Sequence, residues 1–184
     1  LHIVRSGVLK AVVQFANKAQ IVGFFLPGEF IGFDGISSKH HSTTVIALET
    51  SSVCEVGVSD LFKMATQMSR LQTHLFELMS QEINIEISSH FHCSAETQLV
   101  HFLLQLSLRF KRRGLSANEF RLPMTRQDIA NYLGLATETV SRTLTKFQAS
   151  NLIKLDRRNL VIPSRKVLEE LMTGCRHKKQ ESSK

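Results

Sequence analysis

The sequence predicts an α+β chain, with a β-barrel or roll over residues 1–62, a long helix over 63–93 and a helix–turn–helix region with a β-hairpin within 94–175. Short β-branched and aromatic runs dominate the first third. An apolar repeat at three- and four-residue steps follows them. Further on, TRQDIANYLGLATETVSRTLTKFQAS has the pattern of two short helices joined by a tight turn.

Turn residues separate the predicted strands of the first region. The strands are predicted at Ile3-Val4, Val8 to Phe15, Ile21 to Phe25, Thr43 to Leu48 and Val53 to Val58. Gly7, Asn17-Lys18, Pro27-Gly28 and Ser37-Ser38 punctuate them. Many short strands of this kind indicate a barrel or roll. Since Leu1 to Val4 looks like the middle of a strand, we expect the first strands to precede this sequence.

One apolar stripe characterises the predicted helix from Leu61 to Phe91. Its members are Met64, Met68, Leu71, Leu75, Leu78, Met79 and Ile83. The stripe fits the wall of a monomer core, but its heptad-like spacing suits a coiled-coil dimer better. The predicted dimer seam comprises Leu71, Leu75, Leu78, Ile83 and Glu86. Glu82 and Glu86 are either solvated or face the same residues of the second copy in a dimer. In the second case, repulsion between the like charges weakens the dimer, and a signal can then switch dimerisation on or off.

A further helix, predicted from Ala95 to Arg112, precedes the helix–turn–helix. Its inward residues are predicted to be Leu99, Phe102, Leu103, Leu106 and Phe110. Thr125 is suited to cap the next helix with Asp128 three residues on. Gly134 suits the turn because it tolerates positive φ. Thr137 is the predicted N-cap of the last helix of the motif.

The last helix of the motif divides into an apolar and a polar side. Val140, Leu144 and Phe147 fall on one side, and Glu138, Ser141, Arg142 and Thr145 on the other. Arg pairs bidentately with guanine, Glu accepts from cytosine N4, and Ser bonds to either kind of base edge. The polar side therefore suits reading of the DNA major groove by Glu138, Ser141 and Arg142. The alternative is an ordinary solvated helix.

Positive charge is concentrated in the second half. Residues 1–93 carry six Lys and Arg against eight Asp and Glu, whereas residues 94–184 carry seventeen against eight. This asymmetry indicates contact with nucleic acid or a membrane surface by the basic half. Leu152 to Leu155 and Leu160 to Ile162 predict a hairpin with a basic turn, which is either a wing touching phosphates or a plain hairpin. The predicted phosphate-contacting or positioning residues are Thr125, Arg126, Thr137, Thr145, Lys146, Arg157 and Arg158.

Other features narrow the class of protein. No apolar run reaches the length of a membrane span, and no secretory signal is present. The three cysteines are odd in number and far apart, which fits a reducing cytoplasm rather than a disulfide framework. No phosphate loop, paired zinc motif or nucleophile–base arrangement points to an enzyme. Residues 176–184 are basic and polar, and we expect a disordered tail.

Several segments together resemble bacterial transcription regulators of the CRP/FNR superfamily, and within it the oxygen-responsive FNR branch. These segments are GFFLPGEFIGFDGI at 23–36, ALETSSVCEV at 47–56, the long helix, and FRLPMTRQDIANYLGLATETVSR at 120–142. The resemblance implies a β-roll sensor domain like a cyclic-nucleotide-binding domain, a dimerisation helix and a winged helix–turn–helix. It also implies that a homodimer reads a TTGAT…ATCAA-type palindrome. The loop carrying Phe30, Gly32, Asp34 and Ile36 resembles a surface that some relatives present to RNA polymerase, and its alternative is a structural turn.

The resemblance also bears on the signal. Cyclic-nucleotide-binding relatives clamp the phosphate with an Arg beside a Gly-Glu loop. Here Gly28-Glu29 is present, but no Arg occurs from Ser6 to Ser69. The stretch that corresponds to the Arg-containing one of these relatives is 39–44. The absence of an Arg argues against cyclic AMP as the effector. FNR-branch proteins carry a [4Fe-4S] cluster on four Cys, and Cys54 matches the position in the β-roll.

The cluster ligands are incomplete in this sequence. The other three family cysteines lie in an N-terminal group that these residues do not contain, so this segment alone cannot bind the cluster. Cys93 and Cys175 do not fall on family ligand positions, and His40-His41 lacks a third metal ligand nearby. Two alternatives remain open: a regulator of the same fold with another effector, and a ligand-binding or scaffold protein without specific DNA readout.

Overall fold

The computed structural model describes residues 1–15, 18–89 and 94–172, with the backbone alone for 82–89. The chain divides into two compact units, residues 1–91 and 92–184. Strands dominate the beginning of the first unit and helices the second, which confirms the predicted α+β class. Across the described ranges, no helix combines the length and the apolar character that a membrane crossing requires.

Two three-stranded antiparallel sheets form the β-region of the first unit. Their strands are β1 His2–Ser6, β2 Leu9–Phe15, β3 Lys18–Phe25, β4 Phe30–Ile31, β5 Thr44–Ala47 and β6 Ser52–Glu55. One sheet has the order β4-β1-β6 and the other β3-β2-β5. The predicted strands are confirmed, except that the last one ends at Glu55 and Val58 begins a helix.

A small apolar cluster lies in the first unit. Val4 of β1, Leu9 of β2 and Ile31 of β4 are buried together, with Phe25 packed against them. β5 and β6 each lie at one edge of a sheet among the described strands, and every residue of both is exposed.

The predicted helix from Leu61 to Phe91 is wrong in one respect, because the chain forms two helices there. After the short α1 (Gly35–Ser38), α2 spans Val58–Gln67 and α3 spans Ser69–Ser89. Met68 between them has an extended backbone, with φ −126° and ψ 91°, so the apolar stripe does not continue across it.

The predicted seam of α3 is partly exposed. Leu71, Leu75 and Leu78 have intermediate exposure, while Phe76 and Met79 are 64% and 46% exposed. The side chains of Ile83 and Glu86 lie outside the described ones, and so do Cys93, Cys175 and the tail 176–184.

The second unit places the helix–turn–helix between a helix and a small sheet. Its elements are α4 Ala95–Arg112, β7 Glu119–Arg121, α5 Arg126–Leu133, α6 Thr137–Ala149, β8 Lys154–Asp156 and β9 Asn159–Val161. Residues 165–172 are also helical. α4 has the predicted bounds and begins with a reciprocal capping box between Ser94 and Thr97. β7 was not predicted and pairs with β9, giving the order β7-β9-β8.

Candidate nucleic-acid interface

The first helix of the motif is held at both ends by local interactions. The Thr125 hydroxyl accepts a hydrogen bond from the Asp128 backbone N–H, and the Asp128 carboxylate accepts one from the Thr125 N–H at 3.0 Å. At the other end Gly134 has φ 67°, a left-handed conformation that a side chain disfavours. Both predicted terminal features of α5 are confirmed.

α6 follows after a turn of three residues and presents its apolar side to the core. Val140, Leu144 and Phe147 are at most 1% exposed. The prediction that Thr137 caps this helix is wrong: Ala136 is the N-cap and makes no side-chain hydrogen bond, and Thr137 is the first helical residue. The helix begins one residue earlier than a Thr137 cap would require, because Ala136 has the extended backbone of an N-cap (φ −72°, ψ 145°) and Thr137 already lies inside the helix.

The opposite side of α6 carries the predicted base-reading residues. Glu138 and Arg142 are exposed, and Ser141 is partly exposed. Glu138 and Arg142 lie about one turn of helix apart. Within the described parts of the chain, none of these three side chains is engaged in a hydrogen bond or ion pair. The helix therefore offers one carboxylate, one hydroxyl and one guanidinium to solvent from a single surface.

Two residues of α6 that were predicted to contact phosphates are already engaged within the chain. The Thr145 hydroxyl donates to the Ser141 carbonyl at 3.0 Å. Lys146 Nζ lies 2.6 Å from Oε1 of Glu96, in the first turn of α4, with the two side chains 62% and 49% exposed. Sequence reasoning missed Glu96, because fifty residues separate it from Lys146 and no local pattern connects them.

The remaining predicted phosphate-contacting residues lie on two other elements. Arg126 is exposed in the first turn of α5, while the Thr125 hydroxyl donates to the Asp128 carboxylate at 2.6 Å, so its hydrogen serves the cap. Arg157 and Arg158 form the exposed turn between β8 and β9. Arg157 has φ 52°, and the Arg158 carbonyl accepts a hydrogen bond from the Leu122 N–H at 2.7 Å.

The residues predicted for the sensor lie in the first unit. Cys54 is exposed on β6, and its thiol lies 3.9 Å from the Glu55 carbonyl. No cluster of three or more His, Cys, Asp or Glu that could hold a metal ion occurs among the residues described. The Glu29 carboxylate accepts a hydrogen bond from the Leu26 N–H at 2.8 Å and so braces its own turn.

The loop predicted to meet polymerase is partly exposed. Phe30 lies in β4 with its ring 5.6 Å from that of Phe33, Asp34 precedes α1, and Ile36 lies within it. The Asp34 carboxylate is turned towards residues 41–43 of the same chain. These contacts span seven to nine residues, and no local sequence pattern predicts them.

Family models match both units. The Crp-like helix-turn-helix domain matches residues 97–171, and the cyclic nucleotide-binding domain matches residues 1–68. The first match covers α5, α6 and the hairpin described above.

Among curated proteins, the chain is 43% identical over 157 residues to the transcriptional activator protein Anr of Pseudomonas protegens. That match covers 83% of this chain and 64% of the relative. It is 41% identical over 181 residues to the fumarate and nitrate reduction regulatory protein of Escherichia coli, covering 96% of this chain and 72% of that protein. The chain thus spans about two thirds of the length of such relatives, which are regulators rather than enzymes.

Solved structures show the same fold. FixK2 from Bradyrhizobium japonicum superimposes with a TM-score of 0.76 at 28% identity, over 92% of this chain and 85% of that one. A CooA mutant from Carboxydothermus hydrogenoformans gives a TM-score of 0.71 at 16% identity, over 93% of this chain and 78% of that one. The second likeness is one of fold alone.

Proposed function

Because the chain belongs to the CRP/FNR family of transcription regulators, in its FNR branch, we propose that it binds double-stranded DNA at a specific sequence and regulates transcription. One observation carries the proposal. Glu138, Ser141 and Arg142 lie together on the outer side of α6, whose inner side is fully buried. A recognition helix needs this combination of a fixed inner face and a free polar outer face.

Each of the three side chains has a matching base edge in the major groove. Arg142 suits O6 and N7 of a guanine, Glu138 suits N4 of a cytosine, and Ser141 bonds to either kind of edge. A TTGAT half-site offers a G·C pair, which supplies both the guanine and the cytosine. We therefore propose that Arg142 and Glu138 read this pair.

Phosphate contacts would hold the helix in the groove. Arg126 is exposed at the start of α5, and Arg157 and Arg158 are exposed at the hairpin turn. The first turn of α6 has no side-chain cap, which leaves backbone N–H groups to bind a phosphate oxygen. These contacts carry no sequence information but supply affinity that falls as salt rises.

A homodimer would read the palindrome TTGAT…ATCAA through two copies of α6. Two-fold symmetry in the protein requires two-fold symmetry in the site, with the half-sites one helical turn apart. α3 supports a dimer, because Phe76 and Met79 are exposed beside the half-exposed Leu71, Leu75 and Leu78. We propose that this seam, with Ile83 and Glu86, pairs two copies.

Oxygen or redox state is the proposed signal, acting in a bacterial cytoplasm through a [4Fe-4S] cluster. Cys54 would provide one thiolate ligand. Its exposure on an edge strand leaves the sulfur accessible to an iron atom of the cluster. The other three ligands would have to come from residues beyond those described. Cyclic AMP is not proposed, because the Glu29 carboxylate braces its own turn and no Arg accompanies it.

RNA polymerase is the proposed protein partner of the 30–36 segment. The Asp34 carboxylate is engaged within the chain, so contact would fall to Phe30, Ile36 and the backbone at Gly32. Alternatively, the segment is a structural turn, and the two roles separate in a transcription assay. Replacement of Ile36 by a polar residue would lower activation without altering DNA binding if the segment contacts polymerase.

Binding to two duplexes tests the DNA proposal. The chain is expected to bind a TTGAT…ATCAA duplex more tightly than a random duplex of equal length, with affinity falling steeply as salt is raised. Equal affinity for both duplexes would contradict specific readout and favour a scaffold protein.

The cluster is tested on full-length protein by an anaerobic absorption spectrum that bleaches in air and is lost in Cys54→Ser but kept in Cys93→Ser.

Arg157→Gly separates the charge of the hairpin turn from its conformation. A non-glycine residue at φ 52° is strained by about 1–2 kcal/mol, and glycine relieves that strain while removing the guanidinium. We expect Arg157→Gly to unfold at the same or a higher temperature than Arg157→Ala. If Arg157 contacts a phosphate, both variants should bind DNA with a salt slope smaller by about 0.9 for each protomer of the dimer. An unchanged slope in both would remove Arg157 from the interface.

Glu96→Gln releases Lys146 from its ion pair. An exposed pair of this kind is worth about 0–1 kcal/mol, so Lys146 can exchange Glu96 for a phosphate. We expect Glu96→Gln to bind specific and random duplexes alike up to about fivefold more tightly. Glu169→Gln makes the same change of charge at the ion pair between the exposed Glu169 and the partly exposed Arg165, and controls for net charge. Equal effects of the two variants would show that Lys146 does not reach the DNA.

A further inference from the structure

The Asp34 carboxylate lies at the centre of a set of converging donors. Its Oδ2 atom accepts from the backbone N–H of Ser42 at 2.8 Å and of Thr43 at 3.2 Å. The same oxygen lies 3.1 Å from the Ser42 hydroxyl and 3.2 Å from the Thr43 hydroxyl. The other oxygen, Oδ1, lies 3.2 Å from Nδ1 of His41. Five donor atoms from three consecutive residues thus surround one carboxylate.

The four donor atoms around Oδ2 of Asp34 are more than are needed to hold a single turn of the chain. A carboxylate has about four lone-pair sites on its two oxygens, so about two serve each oxygen. Two successive backbone N–H groups that point at one anion form a concavity of the kind that binds phosphate and other anions elsewhere. Here Ser42 and Thr43 supply both N–H groups and two hydroxyls, which makes residues 41–43 an anion-receiving loop.

The occupant of this loop is charged and mostly shielded from solvent. The Asp34 side chain is 24% exposed. Partial burial by itself raises the pKa of Asp34, but hydrogen bonds from His41, Ser42 and Thr43 outweigh burial and hold that pKa below its usual value. The carboxylate is therefore an anion at neutral pH.

The His41 ring, whose side chain is 53% exposed, lies beside Gly32 and beside Gly35, the first residue of α1. A Cβ atom placed at Gly35 would lie 2.6 Å from Cε1 of His41, and one at Gly32 would lie 3.0 Å from the same atom. A side chain at Gly35 would therefore force the His41 ring to shift from this position. Gly32 and Gly35 thus leave space for the His41 ring beside the Asp34 carboxylate.

We propose that residues 41–43 form an anion-binding site whose ligand is the chain's own Asp34 carboxylate. The unit that contains this loop matches the cyclic nucleotide-binding domain over residues 1–68. With the carboxylate in place, the loop is filled without any external anion, and an anionic effector would have to displace Asp34. The inference concerns the first unit alone and does not depend on the proposed DNA function.

Asp34→Ala in the full chain empties the site and should make it a receptor for formate, the carboxylate that the substitution removes. Amide hydrogen exchange of the segment 41–43 is the readout. We expect exchange at least several-fold faster in Asp34→Ala than in the wild type when both are in sodium chloride. Sodium formate at the same ionic strength should restore protection in the variant and leave the wild type unchanged.

Asp60→Ala provides the matched control, since its carboxylate is 72% exposed in the same unit. It should leave exchange at 41–43 unaltered in either salt. Wild-type exchange rates in Asp34→Ala, or a formate effect no larger than that of chloride, would overturn the proposal. If Asp34→Ala fails to fold, Asp34→Asn keeps the shape without the charge and should exchange faster at 41–43 only. Unaltered exchange there in Asp34→Asn would equally overturn it.

Discussion

Arg142→Ala is expected to weaken sharply the preference for the G·C pair in each half-site while leaving the fold intact. The guanidinium is exposed and has no partner among the described residues, so its removal leaves no buried group unsatisfied. In the proposed complex it would lose a bidentate bond to guanine, worth about 1–3 kcal/mol of discrimination, or roughly 5- to 150-fold. A homodimer carries the loss twice, once in each half-site.

Two duplexes measure this effect directly. One contains the TTGAT…ATCAA palindrome, and the other has A·T in place of the G·C pair of each half-site. Wild-type protein should prefer the first duplex, whereas Arg142→Ala should keep only the part of that preference that Glu138 supplies. Arg126→Ala is the control, because loss of a phosphate contact should weaken both duplexes by the same factor. An Arg142→Ala protein that keeps the wild-type ratio would exclude Arg142 from base reading.

The helix–turn–helix could be predicted because its determinants are local. The capping box between Thr125 and Asp128 and the positive φ of Gly134 each depend on residues within one or two turns of chain. The burial of Val140 and Leu144 follows from helical periodicity. Sequence and structure therefore agree most closely where the proposed interface lies.

The break at Met68 and the strand β7 are among the features that could not be predicted, because they lack a local signal. The break at Met68 lies in the sequence Gln67-Met68-Ser69, which contains neither glycine nor proline. The strand Glu119–Arg121 is only three residues long, with one buried side chain, so its alternation is too short to recognise. Its identity as a strand comes from pairing with β9, about forty residues further along the chain.

Polar contacts between residues that are not neighbours in the sequence could not be predicted either. Residue type assigned Lys146 to a phosphate, and the family resemblance of the 30–36 loop assigned Asp34 to a polymerase surface. The fold instead places Lys146 beside Glu96 and surrounds Asp34 with donors from 41–43. Both residues are charged and lie near the surface, where many partners compete, so a partner can be named only when the backbone positions are known.

Leu144→Ala should produce the largest loss of stability among the changes considered for the second unit. Leu144 is 1% exposed on the inner side of α6, one turn from Val140. Truncation of a buried leucine costs about 2–5 kcal/mol, from lost transfer free energy and the cavity left behind. This is a large part of the roughly 5–15 kcal/mol that stabilises a domain. Because Leu144 also fixes α6, DNA binding should fall with stability.

Leu115→Ala is the matched control, since this leucine is 56% exposed in the same unit and should change the free energy of unfolding by no more than about 0.5 kcal/mol. The readout is specific to this unit. Tyr132 is the chain's single tyrosine, the chain has no tryptophan, and its ring lies 5.8 Å from that of Phe102 in α4. Urea unfolding followed by Tyr132 fluorescence therefore reports on the second unit alone. Equal unfolding midpoints for the two variants would mean that the apolar side of α6 does not hold the recognition helix in place.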